Sequence, residues 1–240
     1  MLSNLQELKW QEITLEKSAS FRRNEISMSC SVDVIHSAGV IGSAFLEFGE
    51  SRVICAISGP MSMTAINQAA SSLSSNIDRC TFDCSVKLAA YLQTNDSGQV
   101  EKRFSNYVKE ALLSSIQMDL YPKSNFSLNC VILQSSTDDL AALINCGSLA
   151  LADAAVELHD LVTSYSFSSA LGIDSIHDKS PFVATFSFML SRSRICHTNI
   201  SGRIAGSEIL GSIEYCKQAC ALIRVKMSEA LFAKLDKKRA

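Results

Sequence analysis

The 240 residues contain only three prolines and one tryptophan, and cations are in slight deficit, with 22 Lys and Arg against 24 Asp and Glu for a formal net charge of −2. Gripping nucleic acid by bulk charge needs clustered Lys and Arg to neutralise phosphates, so a strongly basic domain or tail is excluded, although a local basic groove is not. Long apolar runs are lacking too. The longest, Leu140 to Val156, is broken by Asn145 and Asp153 and falls short of the roughly 20 residues that a membrane span needs. It reads as a buried core helix. No membrane association is expected, and no signal peptide either, because Met1 to Trp10 carries Glu7 and Lys9 and has no apolar core.

The common chemical fingerprints are also missing. There is no G-x-G-x-x-G, no phosphate-binding P-loop, no H-E-x-x-H and no G-x-S-x-G. The nine cysteines, an odd number, include no C-x-x-C. Cys80 and Cys84 fall at even spacing on an expected strand, and Cys216 and Cys220 lie four apart on an expected helix. Both pairs read as buried, reduced packing residues in an intracellular, reducing compartment. His36, His159, His177 and His197 have no ligand spacing to one another, so neither a metal site nor a cofactor is expected. The acidic pairs Asp138-Asp139 and Asp174 with Asp178 sit in turn or capping contexts, where dipole compensation is the ordinary role. Trp10 reads as an anchor for a lead-in over residues 1–20. The absence of a Pro/Gly/Ser-rich linker leaves 21–240 as a single domain. Lys237-Lys238-Arg239 looks like a minimal nuclear signal, but cations collect at helix C-termini anyway.

What is present is periodicity. Ile26, Met28, Cys30, Val32 and Val34 alternate with polar residues as in a half-buried strand. Ser43 to Phe48 and Arg52 to Ser58 flank a turn at Gly49-Glu50-Ser51 and form a hairpin closed by Gly59-Pro60, with a loop over 61–78. Phe82, Cys84, Val86 and Leu88 give another strand. After Asn95-Asp96-Ser97-Gly98 the period becomes helical: Val100, Phe104, Tyr107, Val108, Ala111, Leu112 and Ile116 share a face. A buried strand over Phe126 to Gln134 follows, then a helix from Asp138 to Ala154 with Thr137 or Asp138 as N-cap. Strands are expected over Leu161–Phe167, Val183–Leu190 and 195–200. A long helix from Ser207 to Leu235 carries Ile209, Leu210, Ile213, Cys216, Cys220, Ile223, Met227 and Leu231 on its apolar side. The order is that of an α/β (α+β) domain.

Two stretches carry a resemblance. Gly42-Ser-Ala-Phe-Leu-Glu-Phe-Gly49, running on through Arg52 to Gly59-Pro60, resembles the opening hairpin of the ribonuclease PH family. Arg22-Arg23 and Glu25 lie near the offset of that family's Arg-Arg signature, with Phe21 where a Gly usually stands. Leu120-Tyr-Pro-Lys123 through Leu133-Gln134 to Ser148-Leu-Ala-Leu-Ala-Asp-Ala154 is similar to the family's central strand–helix unit. The resemblance spans roughly residues 20–235. It implies a ribosomal protein S5 domain 2-like βαβα core with mixed sheets and a long C-terminal helix.

Members of the family either phosphorolyse RNA from its 3′ end or serve as inactive subunits of the hexameric RNA exosome ring. Active members carry Gly-Gly-Thr-Arg after a Gln, and an ungapped count from Gln134 puts Thr137, Asp138, Asp139 and Leu140 there, with Leu140 in place of the phosphate-binding Arg. The two carboxylates are expected to satisfy the helix N–H groups themselves and to repel phosphate. Thr185 stands where the resemblance puts the catalytic Asp, and Ser187 where it puts an Asn. A hydroxyl without a base is no general acid at neutral pH, so no catalysis is expected.

No Lys or Arg occurs between Pro60 and Arg79 or between Lys87 and Lys102, leaving Lys102 and Arg103 as the remaining candidates for RNA contact, or else a solvated helix face. Val156-Glu-Leu-His-Asp-Leu-Val162 is most similar to one short inactive ring subunit, with the other short one as runner-up. The implied partners are another ribonuclease PH-like subunit as heterodimer mate within a six-membered ring, S1/KH cap proteins, a separate catalytic ribonuclease, and RNA in the channel. The implied locations are nucleus, nucleolus and cytoplasm. The rival readings are an active phosphate-dependent 3′–5′ exoribonuclease and an RNA-binding module acting alone.

Overall fold

The structure, a computed structural model, describes residues 26–62, 80–94, 96–168, 182–203 and 206–239. The lead-in with Trp10, Arg22-Arg23, most of the expected loop after Pro60, and Asp174, His177 and Asp178 lie outside these residues.

Alternation and turn chemistry build the first sheet. β1 (Met28–Val32), β2 (Val40–Phe48) and β3 (Ser51–Ser62) form an antiparallel meander. β4 (Thr81–Leu88) and β5 (Ser124–Gln134) complete it in the order β1-β2-β3-β5-β4, with β5 antiparallel to β3 and parallel to β4. A parallel pair needs a crossover, and α1 (Ser97–Leu113) supplies it. The helical period had been expected to reach Ile116, but the helix stops at Leu113, and Ile116 instead bridges Leu158. Cys80 likewise sits just before β4 rather than on it.

Gly59-Pro60 does not close the hairpin strand. β3 runs on to Ser62, and its register against β5 slips between Ser58 and Met61. A proline has no N–H for the ladder, so it is tolerated where pairing is irregular. Gly59 has φ +127°, and a Cβ there would stand 2.6 Å from the Asn125 carbonyl oxygen.

The second sheet is antiparallel: β6 (Val162–Ser168), β7 (Val183–Met189) and β8 (Arg194–Ser201). Between the two sheets runs α2 (Asp139–Asp153), in which every residue from Asp139 to Leu151 is buried. A helix apolar on all sides belongs inside a protein, as expected from the Leu140–Val156 run. The C-terminal α3 (Gly206–Arg239) packs along β6, β7 and β1. Cys216, Cys220, Ile223 and Met227 are buried on its inner face, whereas Leu210, expected on that face, is exposed because it lies off the inner arc. All nine cysteines are free. Cys55 and Cys130 are register partners with sulfurs 2.9 Å apart, well beyond the ~2.05 Å of a disulfide. Burial pushes the Cys216 thiol up to about 12. Among the described residues no helix is long and apolar enough to cross a membrane, and no group of three or more His, Cys, Asp or Glu could hold a metal ion.

The docking of α2 on β2 explains the two sequence stretches together. Gly42 meets the helix backbone directly: a Cβ there would lie 2.4 Å from the Ala154 nitrogen and 2.6 Å from the Ala150 oxygen. The Asp153 carboxylate accepts the Ser43 N–H at 3.0 Å and pairs with Lys234 of α3, which also reaches Asp33 at 3.4 Å. Burial alone would lower the Lys234 pKa, but the bond and charge of Asp153, with Asp33, hold it above its ordinary value. Gly42→Ala is expected to cost about 1–3 kcal/mol, since backbone on both sides resists the shift. Asp153→Ala, which strands Lys234 and the Ser43 N–H, is expected to cost about 3–5 kcal/mol. Urea denaturation of the full chain measures both.

Candidate functional site

β4 and β5 point their C-terminal ends to the same edge of the first sheet. Gln134 leads from that edge into the first turn of α2. The second sheet reaches the same helix through side chains that replace a strand neighbour. Asn145 donates to the Ser164 carbonyl at 2.9 Å and accepts the Ser164 N–H at 2.7 Å, and Ser148 Oγ accepts the Val162 N–H at 3.0 Å. Three helix residues rise about 4.5 Å and two strand residues about 6.6 Å, and helix and strand run side by side in opposite senses. The first turn of α2 then lies level with Ser166 and Thr185, so Leu140 and Thr185 come to one end of the same interface.

Neither presents reactive chemistry there. Leu140 is 4% exposed and belongs to the main apolar core. Thr185 is 3% exposed and shares a 3.0 Å hydroxyl–hydroxyl bond with Ser166. Ser187 donates to Ser164 Oγ at 3.1 Å, and Ser164 Oγ donates to the Phe186 carbonyl at 3.2 Å. This buried hydroxyl ladder and Asn145 satisfy one another, as polar groups removed from water must. Along β6 Ser164 and Ser166 alternate with Thr163, Tyr165 and Phe167. Nothing local marks them as interior, because their burial depends on α2 crossing above them.

The acidic pair departs from expectation. Asp138 is the N-cap by backbone, its carbonyl accepting the Ala142 N–H at 2.9 Å, yet its side chain makes no capping bond. The Asp139 carboxylate, in a residue 4% exposed, turns to the preceding loop and β3. It accepts the Ser136 N–H at 2.8 Å, the Ser51 hydroxyl at 2.7 Å and the Ser135 hydroxyl. The carboxylates therefore do not cap the helix, because Ser51, Ser135 and Ser136 supply better-placed donors. What remains is their charge beside the turn. Burial, and then the Asp139 charge, push the Asp138 carboxyl above its ordinary range.

Lys102 and Arg103 lie exposed on the first half of α1. Glu101 accepts the Leu88 N–H at 2.9 Å, which places both cations at the edge shared by Leu88 and Gln134. Among the described residues neither forms an ion pair, and no hydrogen bond joins them to Asp138 or Asp139. Lys237, Lys238 and Arg239 fall in the last turn of α3.

A raised carboxyl pKa means that the folded state disfavours ionised Asp138. That penalty is absent below the unfolded pKa and grows as pH rises through the higher folded value. Asp138→Asn keeps a capping-competent residue and is expected to stabilise the chain at neutral pH. The gain should vanish below the ordinary carboxylate range, as urea denaturation across a pH series would show.

Comparison with known proteins agrees with this geometry. The family model for the 3′ exoribonuclease family, domain 1 (RNase PH) matches residues 25–157. An exosome complex component RRP41-like protein of Arabidopsis thaliana is 30% identical over 198 residues, covering 79% of this chain and 74% of the relative. The human exosome complex component MTR3 is 30% identical over 141 residues, 55% of this chain and about half of that protein, at 52%. Among solved structures, rice (Oryza sativa) Rrp46 superposes with a TM-score of 0.69 at 17% identity, covering 87% of this chain and 97% of that one. A chain of the Archaeoglobus fulgidus exosome, with RNA bound to its active site, gives 0.66 at 12% identity, covering 84% and 88%.

Proposed function

We propose that this chain, which belongs to the RNase PH family of 3′ exoribonucleases, is a non-catalytic subunit of the RNA exosome core ring. It would support 3′–5′ RNA processing and degradation, in rRNA maturation, RNA surveillance and mRNA decay, by helping to build the channel. The observation that carries the reading is the first turn of α2 and the facing strand. At the positions where the family resemblance puts a phosphate-binding Arg and a catalytic Asp stand Leu140 and Thr185, both buried in packing roles. The carboxylates of Asp138 and Asp139 add negative charge at the place where a phosphate would have to bind.

Without a cation for phosphate and an acid for the leaving oxygen, phosphorolysis has neither of its charge-handling groups. In this reading the chain pairs with another ribonuclease PH-like subunit, three such pairs close the six-membered ring, S1/KH cap proteins sit on one face, and a separate ribonuclease cuts the RNA. The Val156–Val162 run favours the place of MTR3, the mRNA transport regulator. Working locations in the nucleus, nucleolus and cytoplasm follow from that role. Lys102 and Arg103 offer RNA no more than a minor phosphate contact at the channel side.

Single-stranded RNA incubated with inorganic phosphate and either the isolated chain or its nearest ring partner tests this. No nucleoside diphosphate should be released by this chain, and phosphate-dependent release from it would overturn the assignment. In the assembled ring, Lys102→Ala with Arg103→Ala is expected to lower the slope of log affinity against log salt by no more than about 1–2, measured by fluorescence anisotropy.

A further inference from the structure

Two sheets of five and three strands have four edges, and two of them are capped from within the chain. Along β4, the Val86 N–H donates to Ser105 Oγ at 2.9 Å and the Leu88 N–H to Glu101 at 2.9 Å, both acceptors on α1. Along β6, Ser148 and Asn145 of α2 take the Val162 and Ser164 N–H groups and the Ser164 carbonyl. β1 has only five residues and lies under α3, where Lys226 donates to the Ile26 carbonyl just before the strand at 2.7 Å, although its own backbone bonds only to β2 among the described residues.

β8 is the longer of the two uncapped edges. Among the described residues its backbone bonds only to β7. In an antiparallel edge strand every second residue turns its N–H and C=O outward, so the eight residues of β8 present about four such residues. The usual defences of an edge are absent: apart from Arg194 at its start, the strand holds no charged residue other than a titratable His197, and no proline.

The side chains of β8 point the same way. Its register sets Ile195 opposite Phe188, Thr198 opposite Phe186 and Ile200 opposite Ala184, so these share one face. On β7 that face is buried against α3, but on β8 it emerges with Ile195 47% and Ile200 37% exposed. The opposite face is anchored, with the His197 ring 5.2 Å from that of Tyr107 on α1. The edge is therefore held in place, unpaired, and apolar on one side.

We propose that β8 is an assembly edge, to which an extended strand of a neighbouring ribonuclease PH-like subunit adds by main-chain pairing. The inference rests on the ring-subunit reading above and adds to it the surface used. The occupant's chemistry follows from the edge: an extended backbone about 27 Å long, apolar where it meets Ile195 and Ile200, and polar on the side of His197 and Asn199. A row of outward N–H and C=O groups is matched in full by another extended chain. A helix could offer only scattered side-chain caps, as α1 and α2 do on two of the other edges.

Hydrogen exchange of the full chain, free and in the ring formed by co-expression with the other ring subunits, tests this. Alternate β8 amides are expected to slow by about tenfold or more on assembly. Ile195→Lys with Ile200→Lys should keep the melting temperature of the free chain, because both side chains are exposed, yet reduce incorporation by about tenfold. Three results would overturn the proposal alone: equally fast β8 exchange in the ring, full protection already in the free chain, which would mean that its own segments cover the edge, or normal incorporation of the double variant. Failure of the parent chain to enter any ring would overturn the ring-subunit reading and this surface with it.

Discussion

The burial of α2 between two sheets is the constraint on which the rest depends. A helix wrapped on every side must carry apolar residues, or polar ones with partners of their own, around its circumference, and where it meets another backbone it needs the smallest possible neighbour. Ala141, Ala142 and Ala150 with Leu143, Ile144 and Leu149 meet the first demand, and Gly42 of β2 meets the second. The C-terminal end of the helix is then tied by Asp153 to Ser43 and Lys234. One residue thereby joins the central helix, the hairpin and the C-terminal helix. Removing a partner from such a node costs far more than the pair contributes net, because the charge left behind has already lost its water.

Once α2 is fixed, the end that faces the sheet edge is fixed too, and the identities found there decide what chemistry is possible. The interface between α2 and the second sheet is polar but closed. Asn145, Ser148, Ser164, Ser166, Thr185 and Ser187 use one another as partners. A network whose members are already satisfied stiffens a protein and offers little to a ligand. Asp139 is spent in the same manner on Ser51, Ser135 and Ser136. The polar residues at this end bond one another and hold the elements together.

Much of the fold was legible because periodicity reports burial. The alternation from Ile26 to Val34 marked β1, the largely apolar stretch from Leu140 to Val156 marked a buried helix, and the spacing from Cys216 to Met227 marked the inner face of α3. The misses share one cause: local pattern does not register what a distant element supplies. Ile116 kept the helical period but was claimed by Leu158. Gly59-Pro60 looked like a terminator, yet β5 holds the strand on its far side. Asp138 had the chemistry of a cap, while the competing donors around Asp139 came from β3 and its own loop. At the site, the substitutions at Leu140 and Thr185 were readable from sequence only through family resemblance. Their burial, and the hydroxyl ladder around them, required the second sheet.

The mild acidity of the chain acquires a structural meaning from where its cations are placed. Arg224 bonds Asp160 at 2.9 Å, and Lys234 bridges Asp153 and Asp33, in both cases tying α3 to other elements from partly buried positions. Arg52 with Glu47 and Lys109 with Asp83 are exposed pairs, each worth no more than about 1 kcal/mol. Cations paired in this manner add almost nothing to the field beyond a Debye length, about 8 Å at physiological salt. These four paired cations give a phosphate chain no guidance, which leaves unpaired ones such as Lys102 and Arg103 to supply any. Such pairing suits lateral packing, where an unpaired charge at an interface would oppose association and a bare strand edge favours it. In the proposed ring, cations tied up within the chain and an open edge at β8 would both favour holding neighbours over handling RNA.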